Sequence, residues 1–442
     1  MTPFRPLSLL SLALGAALCT PVQAQSLLQL VESARSYDTA WQSARAQLDA
    51  AGRKADQARA GLLPTAALTS GLNRSNVELS KPRIENTGTA QTVGINAAQP
   101  LYRPANRITL EQGQRGVDVA QAQLDAATQD LLVRVSQAYF DVLAAQDTLT
   151  FVQAQKAAVS EQLAAAKRNF EVGTTTVTDS REAQARYDLV IAQEIAAEND
   201  LRVKRLALDQ LVGVAGAQPK PLALPVQLPS VLPDNLATWV DTARAQQPGV
   251  RQAAIALDIA RLETKKAETG HLPTVDLQAG YNVTRNLHGT ITSPGVTARS
   301  NAASMGVALN LPLFAGFAVQ NRVKETLALE TKAEADLETA RRNVAQATRA
   351  AFYGVQSGQG QVQALEAAEA SSQSALDANK LGYQVGVRIN IDVLNAQSQL
   401  YQTKRDLAQA RYNVLLGGLK LRQAAGTLSQ QDIEAVNALL VK

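Results

Sequence analysis

The chain carries the same turn twice, each time between two segments with helical periodicity. Segment 170–179 reads FEVGTTTVTD and segment 383–392 reads YQVGVRINID, so the two glycines and the two final aspartates are each 213 residues apart. A Leu-Pro-Thr sequence at 63–65 also recurs at 272–274, with nearly the same spacing. A long repeat built around a helix–turn–helix predicts an elongated, tube-like structure rather than a globular enzyme.

The segment before the first turn predicts one long helix. Residues 117–172 contain neither glycine nor proline over 56 positions. A continuous helix of that length would extend about 85 Å. Mostly apolar side chains recur every seven residues in two adjacent rows, a seam typical of coiled-coil packing. The rows are Leu124, Leu131, Ala138, Ala145, Val152, Val159 and Ala166, and Thr128, Val135, Val142, Leu149, Lys156, Leu163 and Phe170.

The remaining helical segments follow the same plan. Residues 174–212, after the first turn, are free of glycine and proline. The second half has matching segments at 317–353 and 387–416. Between these two, the glycines at 354, 358 and 360 predict a looser stretch.

Between the helical segments, hydrophobicity alternates with the period of a β-strand. The alternation is clear from 274 to 283 and from 304 to 313, and weaker from 93 to 98. Strands of about 9–11 residues with one apolar face are typical of outer-membrane barrels. We predict four strands at about 63–80, 90–102, 272–288 and 302–314, joined in pairs by polar loops at 81–89 and 288–299.

Four strands are too few to close a barrel, because the smallest barrels have about eight. The residues alone leave two arrangements open. The strands could form an ordinary antiparallel sheet covered by helices, or several copies of the chain could share one barrel. The long helices and the N-terminal segment favour the shared barrel.

The N-terminus has the features of a secretory signal peptide over residues 1–24. Arg5 supplies the positive charge, residues 7–18 form a short apolar run, and Val22-Gln23-Ala24 resembles a cleavage site. Cys19 leaves lipid modification as an alternative, although Leu18 stands where a small residue is expected. Cleavage after Ala24 would leave a chain without cysteine, so neither disulfides nor thiol chemistry would be available.

The rest of the chain divides into two predicted structural repeats, 25–225 and 226–442. Each would contain a helix, two strands and long helices, the last at 105–212 and 317–425. Prolines at 219, 221, 225, 229 and 233 predict a stiff, extended linker between the repeats.

Composition excludes several functional classes. The formal net charge is +4 and the basic residues are scattered, so no nucleic-acid-binding surface is expected. The two histidines, His271 and His288, are not close to any metal-ligand pattern, and no phosphate-binding loop or catalytic triad can be assembled. We therefore expect no enzyme activity, no cofactor and no bound metal.

Several motifs carry a resemblance to one family. They are Ala138–Leu143 (AYFDVL), Gln153–Lys156 (QAQK), Phe170–Gly173 with Thr178 and Asp179, Ala185–Asp188 (ARYD), Tyr383–Arg388 with Asp392–Leu394, Leu400-Tyr401, Ala410–Asn413 (ARYN) and Ala425–Leu428 (AGTL). On these motifs the chain resembles the TolC family of outer-membrane export channels over nearly all of its mature length. The resemblance implies an α+β membrane protein in which each chain gives four strands and long coiled-coil helices. It also implies a homotrimer that closes a 12-stranded outer-membrane β-barrel, continued by a periplasmic α-helical barrel.

The function implied by this resemblance is a passive exit duct, gated at its periplasmic end. Such channels work in tripartite efflux or type I secretion systems. Their partners are a periplasmic adaptor protein, an inner-membrane transporter of the ABC, RND or MFS type, the exported drugs or secreted protein, and outer-membrane lipid. The alternative is a periplasmic coiled-coil scaffold or adhesin without a channel.

The two turns hold the candidate functional residues, and two interpretations apply to their aspartates. Local sequence favours Asp179 and Asp392 as helix N-caps, with Glu182 completing a capping box for Asp179. The resemblance instead implies that Asp392 lies in an acidic ring at the tunnel mouth that attracts cations. Asn395 replaces a second acid that the family often has, so a ring with weaker cation block is expected.

The resemblance also implies polar links that keep the tunnel closed. Tyr383 and Arg388 on the second turn would bond to Thr178 and Asp179 on the first. A further link between Gln162 and Lys380 is doubtful, because Lys380 stands where the family often has an acid. For Arg388 the simpler alternative is a solvated cation at a helix end.

Overall fold

A computed structural model describes residues 24–441 apart from 82, 224, 227, 231, 291 and 292. The predicted signal peptide therefore lies outside the described residues except for Ala24. The described chain forms nine α-helices: α1 Leu27–Tyr37, α2 Thr39–Ala60, α3 Pro104–Glu171, α4 Val177–Val212, α5 Leu236–Gln246, α6 Pro248–Glu268, α7 Ala318–Gln384, α8 Asn390–Ala425 and α9 Gln430–Asn437. Its strands are β1 Thr65–Ser80, β2 Arg83–Tyr102, β3 Thr274–Asn286, β4 Gly289–Thr290, β5 Ser293–Pro294 and β6 Ala298–Asn310.

The helix lengths reproduce the repeat seen in the sequence. Helices α3 and α7 have 68 and 67 residues, and α4 and α8 have 36 residues each. Helices α4 and α8 end at Gly213 and Gly426, which are again 213 positions apart and adopt φ values of 72° and 75°. The two halves therefore share one plan for their long helices and for the helix ends.

The predicted looser stretch at 354–360 is wrong, because α7 continues through its glycines without a break. A Cβ at Gly358 would lie 3.0 Å from Val414 Cγ2, and one at Gly417 would lie 3.1 Å from Val355 Cγ2. The glycines thus let α7 and α8 approach closely. At Gly358, packing against α8 offsets the cost of about 1 kcal/mol that a glycine brings to a helix, whereas a Cβ at Gly354 or Gly360 would meet no neighbour within 4 Å among the described residues.

The four long strands form one antiparallel sheet in the order β1-β2-β3-β6. Each strand pairs with its neighbour over nearly its full length, for example through Val93 opposite Val283 and Val283 opposite Asn301. The predicted loop at 81–89 is wrong, because β1 and β2 stay paired as far as Ser80 and Arg83. The backbone ladder between β1 and β2 continues through this stretch, although its sequence is polar and shows no apolar alternation. The second predicted loop carries the short β4–β5 ribbon.

One face of the sheet is apolar and exposed. Directly opposed residues share a face, so Leu68, Ile95 and Tyr281 form one cross-strand line, and Ala97, Ala279 and Met305 form the next. Leu68 is 73% exposed and Met305 is 77% exposed in the single chain. The other face presents small and polar residues. Strand β6 ends at Asn310, so the predicted positions 311–314 lie outside it.

The chain divides into two compact units, and each draws on both halves of the sequence. One comprises Ser43–Ala126 and Pro248–Asn343, which include the sheet. The other comprises the described parts of Met1–Gln42, Ala127–Gln247 and Val344–Lys442. The second unit contains the largest apolar core, formed by α1, α3, α4, α8 and α9. Its fully buried large side chains include Leu27, Leu131, Tyr139, Phe140, Leu208 and Ile433.

The predicted heptad seam of α3 is buried in this unit. Most of the first row lies in apolar contact with other helices, namely Leu131, Ala145, Val152, Val159 and Ala166. The segment between α4 and α5 is tied to the same core, since Pro219 bridges to Gln25 and Leu222 bridges to Leu440. The Tyr139 hydroxyl donates to the Lys220 carbonyl at 2.8 Å.

Candidate functional site at the two helical turns

The two predicted turns have the same backbone conformation. Gly173 and Gly386 both have φ of 78°, a left-handed conformation that glycine adopts without steric cost. The amide of Thr174 donates to the Asn169 carbonyl at 2.8 Å, and that of Val387 donates to the Gly382 carbonyl at 2.9 Å. These are equivalent bonds, so each long helix ends and reverses by the same local chemistry.

The first turn assigns Asp179 a different role from the predicted N-cap. Helix α4 begins at Val177 with Thr176 as its N-cap. Thr176 Oγ1 accepts from the Asp179 amide at 3.4 Å, and Asp179 Oδ2 accepts from the Thr176 amide at 3.3 Å. Asp179 is thus the third-position partner of a capping box, in the place predicted for Glu182. Thr178 is exposed beside it.

The N-cap prediction for Asp392 is also wrong. Helix α8 begins at Asn390 with Ile389 as N-cap, and Ile389 has no side-chain oxygen to accept a capping bond. Asp392 lies in the first turn of α8, where a carboxylate is favoured by the helix dipole. Its Oδ2 is 3.6 Å from Arg388 Nη1, and both side chains are partly exposed. Such a pair contributes about 0.5 kcal/mol or less.

Two links join α3 to the second turn within one chain. Tyr383 accepts a hydrogen bond from Asn169 Nδ2 at 3.2 Å. Gln162 donates to Asn390, which is only 1% exposed. Among the described residues, no hydrogen bond or ion pair joins Tyr383 or Arg388 to Thr178 or Asp179.

Lys380 and Asn395 complete the set of predicted site residues. Lys380 is exposed on α7, and the amide of Gln162 is directed to Asn390 rather than to Lys380. Asn395 is exposed on α8, and its Oδ1 accepts from Arg186 Nη2 at 2.8 Å. A guanidinium therefore stands against the position where the family often has a second acid.

A row of amides on α3 was not predicted as a unit, although Gln162 is one of its members. Gln155, Gln162 and Asn169 are spaced by seven residues, and each donates to a residue of the second half, the first to Ser398 at 3.4 Å. The signal was present in the sequence, because three amides at heptad spacing beside an apolar seam indicate a polar row facing another helix. Buried polar residues in a coiled-coil seam fix register and partner at a cost in stability.

A second polar contact, in which Tyr412 is buried and Asp147 half-buried, lies farther along the same helices. Tyr412 donates to Asp147 Oδ2 at 2.7 Å and stacks on Phe140, with ring centroids 5.6 Å apart. Burial raises the pKa of Asp147, and the hydrogen bond from Tyr412 opposes this shift. Burial also raises the pKa of Tyr412, with the Asp147 charge adding to the effect. The Asp147 carboxylate is therefore stabilised by the hydrogen bond that the Tyr412 hydroxyl donates to it.

Neither a metal site nor a membrane-crossing helix is found in the described part of the chain. No group of three or more His, Cys, Asp or Glu side chains could hold a metal ion there. Within the same residues, no helix is long and apolar enough to cross a membrane.

Comparison with known proteins assigns the chain to a family. The model of the outer membrane efflux protein family matches residues 30–214 and 239–427. The outer membrane protein TolC of Vibrio cholerae is 36% identical over 428 residues, which are 97% of this chain and 96% of that protein. TolC of Escherichia coli is 32% identical, over 95% of this chain and 86% of that protein. The proteases secretion protein PrtF of Dickeya chrysanthemi is 30% identical, over 96% and 92%.

Solved structures show the same fold. The outer membrane protein VceC of Vibrio cholerae superposes with a TM-score of 0.78 at 19% identity, over 90% of this chain and 96% of that one. The open state of the Neisseria gonorrhoeae MtrE outer membrane channel gives 0.74 at 21% identity, over 92% and 90%. Family and fold are those of channel proteins rather than of known enzymes. The chain belongs to the outer membrane efflux protein family of TolC-like channels, and it is an outer-membrane exit duct of efflux or type I secretion systems that extends into the periplasm.

Proposed function

We propose that three copies of the chain assemble into one duct, with their sheets closing a 12-stranded barrel. The observation that carries the proposal is the isolated four-stranded sheet with an exposed apolar face. Strands β1 and β6 are its edges, and each presents a row of unpaired backbone groups in the single chain. In lipid such groups cost several kcal/mol each, so the edges must pair with another copy.

The number three rests on the family resemblance, whereas the need for more than one copy follows from the sheet. Four strands are half of the smallest barrels, which have about eight. We expect the detergent-solubilised protein to have the mass of three chains by light scattering. The assembly should resist sodium dodecyl sulfate at room temperature and dissociate on heating. A monomer that stays soluble without detergent would contradict the proposal.

We further propose that the duct is passive and that its partners are a periplasmic adaptor and an inner-membrane transporter of the ABC, RND or MFS type. Relatives named for protease secretion and for efflux support both a secreted protein and drugs as cargo. Deleting the gene and measuring drug susceptibility and secreted protein in parallel would separate the two cargoes. A deletion strain unchanged in both would contradict the proposal.

The gate we propose combines links within one chain with links between copies. The bonds from Asn169 to Tyr383 and from Gln162 to Asn390 hold the second turn to α3 within the chain. Among the described residues, the only charged partner of Arg388 is Asp392, and their contact is weak. Arg388 is therefore free to reach Thr178 or Asp179 of a neighbouring copy. Among the described residues, Lys380 forms no link with Gln162, so Lys380 would serve only between copies.

At the mouth of this gate, Asp392 would form a ring of about three carboxylates by threefold symmetry. Asn395 adds no charge, and the contact with Arg186 brings a positive group to the same level of α8. We therefore expect cation block to be weaker than in relatives with two acids at these positions.

A further inference from the structure

A polar cavity of about 390 Å³ lies close to the turns, between α3, α4 and α8. This size is at the lower end of the range for small-molecule sites. Helix α3 contributes Gln155, α4 contributes Arg186 and Gln193, and α8 contributes Asn395, Ser398 and Arg405. None of the proposed gate links requires this cavity.

The charge of the cavity is positive and uncompensated. Arg186 donates to the Asn395 side-chain carbonyl at 2.8 Å, and Arg405 donates to that of Gln402 at 2.5 Å. Among the described residues, neither guanidinium has a carboxylate within 4.0 Å, whereas Arg134, Arg411 and Arg422 of the same unit each pair with one from another segment of the chain. Each guanidinium has five N–H donors, so several remain for a ligand.

Among the described residues, two buried amide oxygens that line the cavity lack a hydrogen-bond partner. Gln155 is 4% exposed, and its Oε1 accepts no hydrogen bond. Gln193 Oε1 is likewise buried without a partner. A buried amide oxygen left unsatisfied costs about 1–3 kcal/mol, so a ligand with hydroxyl groups would be favoured here. Because Ser398 can donate or accept, the Gln155 amide can present either its oxygen or its NH2 group.

These features select one ligand class. Two guanidiniums disfavour cations, and the predominance of amides disfavours a purely apolar ligand. Water would satisfy the amides but would not neutralise the charges. We propose that the cavity binds a small hydroxylated organic anion, with its carboxylate at Arg186 and Arg405 and its hydroxyls at the glutamine amides. A ligand in this position contacts three helices and would hold α4 and α8 together beside the second turn.

The probe for this site is gluconate, which combines one carboxylate with several hydroxyls. Glucitol has a similar size and hydroxyl content without the charge, and serves as the matched control ligand. Both are titrated by calorimetry into the full chain in detergent, at constant ionic strength in chloride. We expect one gluconate per chain and no binding of glucitol. Arg186→Gln and Arg405→Gln should each weaken gluconate binding about tenfold or more, since each removes a charge-assisted bond.

Arg202→Gln is the control variant, because Arg202 is an exposed arginine of α4 that does not line the cavity. It should bind gluconate like the wild type. If one of the two cavity variants fails to fold, the other still decides the result. No gluconate binding, equal binding of glucitol, or unchanged binding in the folded cavity variants would each overturn the proposal. Channel conductance is measured separately, so failure of this site leaves the duct proposal intact.

Discussion

The links between α3 and the second turn give a quantitative prediction for gating. Tyr383→Phe removes the hydroxyl that accepts from Asn169, and Gln162→Leu removes the amide that donates to Asn390. A neutral side-chain hydrogen bond contributes about 0.5–1.5 kcal/mol net. Because both hydrogen bonds are only part-buried, we take the lower value of about 0.5 kcal/mol for each link.

The double variant then loses about 1 kcal/mol per chain, and about 3 kcal/mol for three chains that open together. A change of about 3 kcal/mol corresponds to a shift of more than 100-fold in the equilibrium between closed and open states. Each single variant should shift it by about 10-fold. The double variant should therefore have a higher mean conductance and spend more time in the open level.

The assay is single-channel recording in planar bilayers with the purified assembly. Tyr353→Phe is the matched control, because Tyr353 is an exposed tyrosine on the same helix α7. It should leave the open fraction unchanged. If the double variant behaves like Tyr353→Phe while both proteins assemble equally, the two links do not hold the gate closed and the reasoning fails.

Three further predictions concern charge, stability and the turn. Asp392→Ala should reduce the block of the channel by divalent or trivalent cations, and Asn395→Asp should increase it. Equal block in both variants, measured in the same bilayers, would show that these residues do not lie at the channel mouth. Tyr412→Phe should destabilise the fold by about 1.5 kcal/mol at neutral pH, because half-buried Asp147 loses its donor. Burial raises the pKa of Asp147 above its unfolded value, so ionisation of Asp147 reduces stability as the pH rises through its folded-state pKa. The loss of stability in Tyr412→Phe, measured by thermal unfolding, should therefore shrink on acidification. A loss that does not depend on pH would contradict this. Gly173→Ala should cost about 1 kcal/mol through its positive φ, and an unchanged melting temperature would contradict the turn geometry.

Periodic features of the sequence predicted much of the fold. The 213-residue spacing between Gly173 and Gly386 recurs in the turns and again in the glycines that end α4 and α8. The apolar rows of α3 and the alternation in β3 and β6 are physical periods that packing preserves. These features depend on local spacing, so they can be recognised in the sequence without knowledge of tertiary contacts.

The errors came from residues whose roles depend on other segments. The glycines of α7 predicted a loose stretch, but the helix continues through them, and Gly358 packs closely on Val414 of α8. Thr176 rather than Asp179 caps α4, and both are capping residues that local sequence ranks almost equally. The partners of Gln162 and Tyr383 lie in the other half of the chain, so only the fold could identify them.

The most direct test of the duct is the conductance of the purified wild-type assembly in planar lipid bilayers. We predict discrete current steps of uniform size, a preference for cations and reversible block by polyvalent cations from the side of the helical turns. The duct would be contradicted if the protein inserts as a heat-dissociable trimer but never conducts, and if the Tyr383→Phe, Gln162→Leu double variant does not conduct either.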